Sequence, residues 1–227
     1  MNRLFRPKGL ILGALIFVFA VLPLGAEGFF KSLTWSFRGS VLIFPEDNGM
    51  DSDPMPILPS FGASAAYPVF GPLSVEVSLD MYATYYGYSY KLGRAVPYAL
   101  ENRSSFVVGS VLGIQALYRY NITRNIVLRG YGGPAADLRI PFIADGLEGS
   151  DKEDASKQTK DVAKYFWSVG RWFMPVAGVG IDFGITPKVM IGVDFRVWFP
   201  LYRTWTKEDL PAIEGWRFGP GFRITLR

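Results

Sequence analysis

"VMIGVDFRVWFP", residues 189–200, alternates almost without fault. Val189, Ile191, Val193, Phe195, Val197 and Phe199 are apolar, and Met190, Gly192, Asp194, Arg196 and Trp198 stand between them. A period of two places successive side chains on opposite faces of a strand. One face is therefore wholly greasy, and the other carries an acid and an arginine beside glycine and tryptophan. The fold depends on which of these faces turns inward.

Seven more segments repeat the pattern. They run over about 33–44, 57–70, 73–88, 106–120, 126–143, 167–185 and 214–227. In the third, Leu73, Val75, Val77, Leu79 and Met81 oppose Ser74, Glu76, Ser78, Asp80 and Tyr82. Pro134, Pro175 and Pro220 interrupt the fifth, sixth and eighth. Proline cannot donate to a ladder, so each predicts a bulge or break. The connections alternate in length. Phe70-Gly71-Pro72, 121–125 and Thr186-Pro187-Lys188 read as tight turns, whereas 45–56, 89–105, 145–165 and 202–213 are long and polar. An even number of strands with short turns at one end and long loops at the other is the pattern of an outer-membrane barrel. The expected fold is all-β: an eight-stranded antiparallel up-and-down transmembrane β-barrel with a polar lumen.

Orientation follows from charge type. The nine lysines lie in the N-terminal segment, turns, loops or strand edges. The cations of the polar strand faces are Arg38, Arg119, Arg129, Arg139, Arg196, Arg217 and Arg223, and the acids there are Glu76, Asp80, Asp137, Asp182 and Asp194. A water-facing surface would use lysine freely. A confined interior favours arginine, whose planar fork pairs with carboxylates and tolerates partial desolvation. The same face is rich in Gly, Ser and Thr, which leave room for guanidinium heads. Aromatic residues gather near both strand ends: Trp35, Phe37, Tyr67, Tyr118, Tyr120, Phe183 and Phe222 at one, and Phe44, Tyr85, Phe142, Trp167, Phe173, Phe199 and Trp216 at the other. Two aromatic girdles fit a bilayer with two interfaces. These twelve charged residues are thus expected to form a charge network in the lumen, with Ile191 and Val193 on lipid. A soluble lipid-binding barrel, apolar inside, is the competing architecture.

Residues 1–26 read as a signal peptide: Arg3, Arg6 and Lys8, then an apolar run from Leu10 to Leu22, then Leu24-Gly25-Ala26. A retained anchor is the alternative, although the run is short for a spanning helix. The barrel is assigned to 27–227. The full chain has 24 Lys+Arg against 20 Asp+Glu. Removing the leader leaves 21 against 20, so the basic balance gives no reason to expect nucleic acid as a partner. The chain lacks histidine and cysteine. That removes the commonest general base, the Ser-His-Asp triad, thiol nucleophiles and most zinc sites. No catalytic residue, metal or cofactor is expected.

The 145–165 loop is the most charged stretch. Ser150 followed by Glu153 reads as a capping box that would open a short helix near 151–164; the segment is expected to be a solvated loop, with a receptor-binding or lumen-plugging role as the alternative.

This layout resembles the small eight-stranded outer-membrane proteins of diderm bacteria, namely OmpW and the OmpA membrane domain, over about residues 30–227. It is also similar to the small barrels predicted in spirochaetes. The resemblance implies lipid of the outer membrane and the barrel assembly machinery as partners. It also implies roles that differ between members: passage of small solutes, tethering of the envelope, or binding of host surfaces. The chain is accordingly expected to be a narrow porin-like channel or small-solute transporter, or else a surface-exposed adhesin or structural protein acting through loops that carry Tyr86, Tyr88, Tyr90 and Tyr202.

Overall fold

The computed structural model describes residues 32–45, 57–98, 105–144, 150–206 and 215–226. The chain divides into two units, Met1–Leu33 and Thr34–Arg227. The signal segment expected at 1–26 lies outside the described residues.

The second unit is a closed antiparallel barrel. Its elements are β1 (Thr34–Ile43), β2 (Ile57–Phe70), β3 (Leu73–Ser89), β4 (Arg94–Tyr98), β5 (Ser105–Asn121), β6 (Ile126–Gly133), β7 (Ala135–Ile143), α1 (Ser150–Trp167), β8 (Val176–Thr186), β9 (Val189–Trp198), α2 (Arg203–Thr206) and β10 (Arg217–Leu226). The wall runs β1-β2-β3-β5-β6/β7-β8-β9-β10 and closes where β10 meets β1, with Trp35 opposite Leu226 and Ile43 opposite Phe218. β6 and β7 share one position, which gives eight. Closure removes the open edge around most of the wall, so the ladder there satisfies the backbone polar groups that lipid cannot, while β7 meets, among the described residues, only a single bridge, Ala136 to Phe173, on its outer side.

The break between β6 and β7 falls at Pro134, as its missing N–H requires. The register does not slip there: Ala116 pairs with Gly132 on one side of the break, and Gly113 with Ala135 on the other. The Pro134 carbonyl still accepts from the Ile114 amide at 3.0 Å. At the tight β2–β3 turn, Gly71 takes φ 52°, a left-handed conformation that glycine adopts without steric cost.

The apolar faces point outward. Ile191 and Val193 are each 44% exposed, whereas Arg196 between β8 and β10 is 1% exposed. The same alternation runs through β3, where Val75, Val77, Leu79 and Met81 are exposed and Glu76, Asp80 and Tyr82 are buried. A soluble monomer rarely shows water an apolar patch above a few hundred Å². A closed barrel that is greasy all round and polar inside is the architecture of outer-membrane barrels. The protein is an integral membrane barrel of that kind, and it crosses the bilayer with strands.

Four expectations are corrected. The sixth strand begins at Val176, not Trp167, because helix α1 runs on to Trp167 and Pro175 blocks the ladder just before β8. The 89–105 segment contains a further strand, β4, which pairs with the top of β3 from Tyr85 to Ser89. Phe44 is not a girdle residue: it is fully buried inside the barrel. Tyr86 and Tyr202 are likewise buried, not presented outward.

Helix α1 covers the loop end. Ala155, Val162 and Phe166 share one helical face and are buried. Val162 and Phe166 pack on Tyr86, Ala95 and Val107 from β3, β4 and β5. Ser105 and Thr159 share a hydroxyl hydrogen bond at 2.7 Å. The Arg139 guanidinium lies 3.9 Å from the Phe166 ring centroid.

Candidate functional site

Barrel interiors are filled layer by layer, because inward residues of adjacent strands meet at matching heights. Here the layers differ in chemistry. Nearest the short turns, Ser36 and Thr225 share a hydroxyl hydrogen bond at 3.0 Å, beside the apolar group Ala66, Leu117 and Tyr131. Arg119 lies at this rim and donates to Ser74 Oγ at 3.3 Å. It is only half-buried, and the ion pairs described next do not include it.

Above the rim lies a layer of four arginines and four acids. Arg223 grips Glu76 with two N–H groups, Nη2 at 2.5 Å from Oε2 and Nη1 at 3.3 Å from Oε1. Arg129 is ion-paired with Asp182, with Nη2 donating to Oδ1 at 3.0 Å and Nε 2.6 Å from Oδ2. Arg38 pairs with Asp80 and reaches Asp194 at 3.4 Å. Arg196 ties the pairs together: Nη1 is 3.0 Å from Asp80, Nη2 is 3.6 Å from Glu76, and Nε donates to Tyr131 Oη at 3.0 Å. Tyr131 in turn donates to Asp194 at 3.1 Å, and its ring lies 5.0 Å beneath the Arg196 guanidinium. The layer is electrically balanced. Forked arginine–carboxylate contacts of this kind are the stronger class of ion pair.

Next comes an apolar septum. Leu42, Phe44, Tyr82, Val111, Ala135, Met174, Val176 and Trp198 converge from six sectors of the wall. Above it, Asp137 gathers Arg139 at 2.9 Å and Arg217 at 2.5 Å, and accepts from Tyr82 Oη at 3.0 Å. Arg217 also lies 4.9 Å over the Phe44 ring. Helix α1 packs at this end against β3, β4, β5 and β7.

Glycine makes this density of side chains fit. A Cβ at Gly62 would overlap the Asp80 carboxylate, and one at Gly109 the Tyr82 ring. A Cβ at Gly180 would come within 2.8 Å of Arg129 Nη2, and one at Gly219 within 2.8 Å of the Trp198 ring. A bulky interior residue on one strand thus lies over a glycine on its neighbour.

Of the twelve residues picked from sequence, eleven fall into the two charged groups, and Arg119 stands apart. Tyr131, Tyr82, the septum and buried Arg94 on β4 were not singled out. The parity of Tyr82 and Trp198 already put them on the inward face. Their convergence was not visible, because it depends on strands far apart in sequence. The interior carboxylates are each held by arginine, and among the described residues no group of three or more His, Cys, Asp or Glu could hold a metal ion.

No protein-family profile matches the chain, and no curated protein matches it. Among solved structures it is similar to Neisserial surface protein A, at 13% identity and a TM-score of 0.48, covering 86% of this chain and 96% of that one. It is also similar to the outer membrane protein OprG of Pseudomonas aeruginosa, at 9% identity and a TM-score of 0.48, covering 86% and 95%. A third, the attachment invasion locus protein Ail of Yersinia pestis, has 10% identity and a TM-score of 0.42, covering 86% and 95%.

Proposed function

We propose that the protein is a non-conducting barrel in the outer membrane of a diderm bacterium and acts through its loop end, as a surface-binding or structural protein. One observation carries this reading: the interior is obstructed at three successive levels. A solute would have to part the balanced arginine–carboxylate layer, the septum of Phe44, Tyr82 and Trp198, and then helix α1. Separating buried partners costs about 3–5 kcal/mol for each stranded charge, and the interior of an eight-stranded barrel is filled by side chains. The narrow-channel reading needs all three levels to open together and is the weaker one. No catalytic role is proposed either, since Glu76, Asp80, Asp137, Asp182 and Asp194 each lie on an arginine and none is placed to serve as a general base.

Export would use residues 1–26 as a cleaved leader, and insertion would use the barrel assembly machinery. Planar-bilayer recording tests the central claim. Prolonged silence at high protein load is expected, and discrete current steps would overturn it. Peptides spanning 89–105 or 145–165 should compete with binding of whole cells to a host surface if the loops act as an adhesin; failure of both leaves the structural role.

A further inference from the structure

Between α1 and β8 the chain makes an irregular knuckle, residues 168–175, which packs against the 199–206 segment containing α2. Trp205 Nε1 donates to the Val169 carbonyl at 2.7 Å, and the Trp205 ring lies over Gly170. Val169 holds φ 44°, a left-handed conformation that a β-branched residue adopts only under constraint.

Three features set this knuckle apart from a water-facing loop. First, its outer side is apolar: Val169, Trp172, Leu201 and Trp205 are exposed, and Val169 and Trp205 are more than half so. Second, much of its backbone is paired from within although it is not regular. The amides of Arg171, Phe173, Leu201, Thr204 and Trp205 donate to Ser168, Gly170, Phe199, Leu201 and Tyr202 carbonyls at 2.9–3.2 Å. A loop in water has no need of this, whereas a segment in an apolar medium does. Third, its charge is turned away. From Tyr165 to Pro187 the only Asp, Glu, Lys or Arg is Arg171 apart from the interior Asp182, and the 199–206 segment adds only the half-buried Arg203. The Arg171 guanidinium lies 4.1 Å over the Tyr165 ring and 5.6 Å over Tyr202, with Nη1 on Ser168 Oγ at 2.6 Å.

The knuckle is also level with the upper edge of the apolar belt. The Trp172 carbonyl accepts from the Asp137 amide at 2.7 Å, and Phe173 bridges Ala136. That places its C-terminal end beside the start of β7, whose outer face exposes Ile140 and Phe142 further toward the loop end. On the far side, the Phe199–Trp216–Phe218–Phe195 ring series continues the belt over β9 and β10. Strand β8 begins only at Val176, so in this sector a strand supplies no interfacial aromatics.

We infer that the Val169–Trp172 knuckle with Leu201 and Trp205 lies in the lipid interface of the leaflet at the loop end, completing the aromatic girdle with irregular backbone where the wall is lowest. Indole rings favour that zone, with an apolar body and a polar N–H. This rests on the barrel spanning a bilayer, and the controls below separate the two claims.

The chain lacks cysteine, so single-cysteine variants can be labelled cleanly. V169C and L201C would carry an environment-sensitive fluorophore in the full mature barrel, reconstituted in vesicles of phosphatidylcholine brominated either near the carbonyls or at mid-chain. I191C serves as the belt control and K157C, on the exposed face of α1, as the water control. Heat-modifiable migration on a gel confirms that each variant is folded. The expected result is blue-shifted emission at 169 and 201, quenched most by the shallow bromines, with 191 quenched as well and 157 by neither. Emission at 169 and 201 that matches 157 while 191 is quenched overturns the inference and leaves the spanning barrel intact. Silence at 191 as well overturns the membrane reading itself.

Discussion

Replacing Arg129 with methionine should be among the most damaging single changes in the wall. Arg129 is 1% exposed and holds Asp182 through Nε at 2.6 Å and Nη2 at 3.0 Å. The substitution keeps length and apolar volume but leaves Asp182 charged and stripped of its arginine partner. Unit charges about 4 Å apart attract by about 4 kcal/mol at an effective dielectric near 20, and by only about 1 kcal/mol in water. Truncating one partner of a buried pair costs about 3–5 kcal/mol. R129M should therefore lose about 3–5 kcal/mol, and D182N should suffer a similar loss for the mirror-image reason. The double variant removes both charges and should lose less than the sum, with a coupling of about 2–3 kcal/mol. Reversible urea unfolding in phospholipid vesicles, followed by tryptophan emission, measures all four proteins. Single losses at or below about 1 kcal/mol with no coupling would mean that the layer is hydrated, and the argument for an obstructed interior would fail with it.

Other changes probe other parts of the filling. G109A drives a methyl into the Tyr82 ring and should cost about 1–3 kcal/mol; in a Y82A background the same change should be nearly neutral by urea midpoint. F166A removes the anchor of α1 on Tyr86 and Val107. It should cost about 3–5 kcal/mol locally, seen as faster amide exchange across 150–167 while β3 and β5 stay protected. Replacing α1 with a glycine-serine linker should leave planar bilayers silent, because Phe44, Tyr82 and Trp198 still close the bore. Current steps in that variant would make the helix, not the septum, the seal.

Strand parity was readable from residue order because one-residue slips exchange the two faces entirely. That is why Ile57–Phe70 has the same limits in sequence and structure despite its weak apolar contrast. The separation of lysine from arginine carried the orientation, because confinement penalises the ammonium more than the guanidinium. What stayed hidden is what depends on height. Leu42, Val111 and Trp198 come from β1, β5 and β9, and only the shear of the closed sheet brings them level. β4 was hidden for a different reason: its five residues include Pro97, and a strand that short gives too little alternation to recognise. The N-terminal limit of β8 was obscured by the aromatic tail of α1, where Phe166 and Trp167 imitate the end of a strand.

The seating of large interior groups over glycines joins residues that the chain keeps apart. Neither Gly109 nor Tyr82 can drift by itself: a methyl on the first collides with the second, and shrinking the second opens a void. The same bond of necessity ties Gly62 to Asp80 and Gly219 to Trp198. In descendants of this chain, such sites should change in company, trading bulk across a ladder rung so that each rung keeps its total volume. A barrel of this kind could then shed nearly all outward likeness to its kin while its rungs went on adding up to the same size.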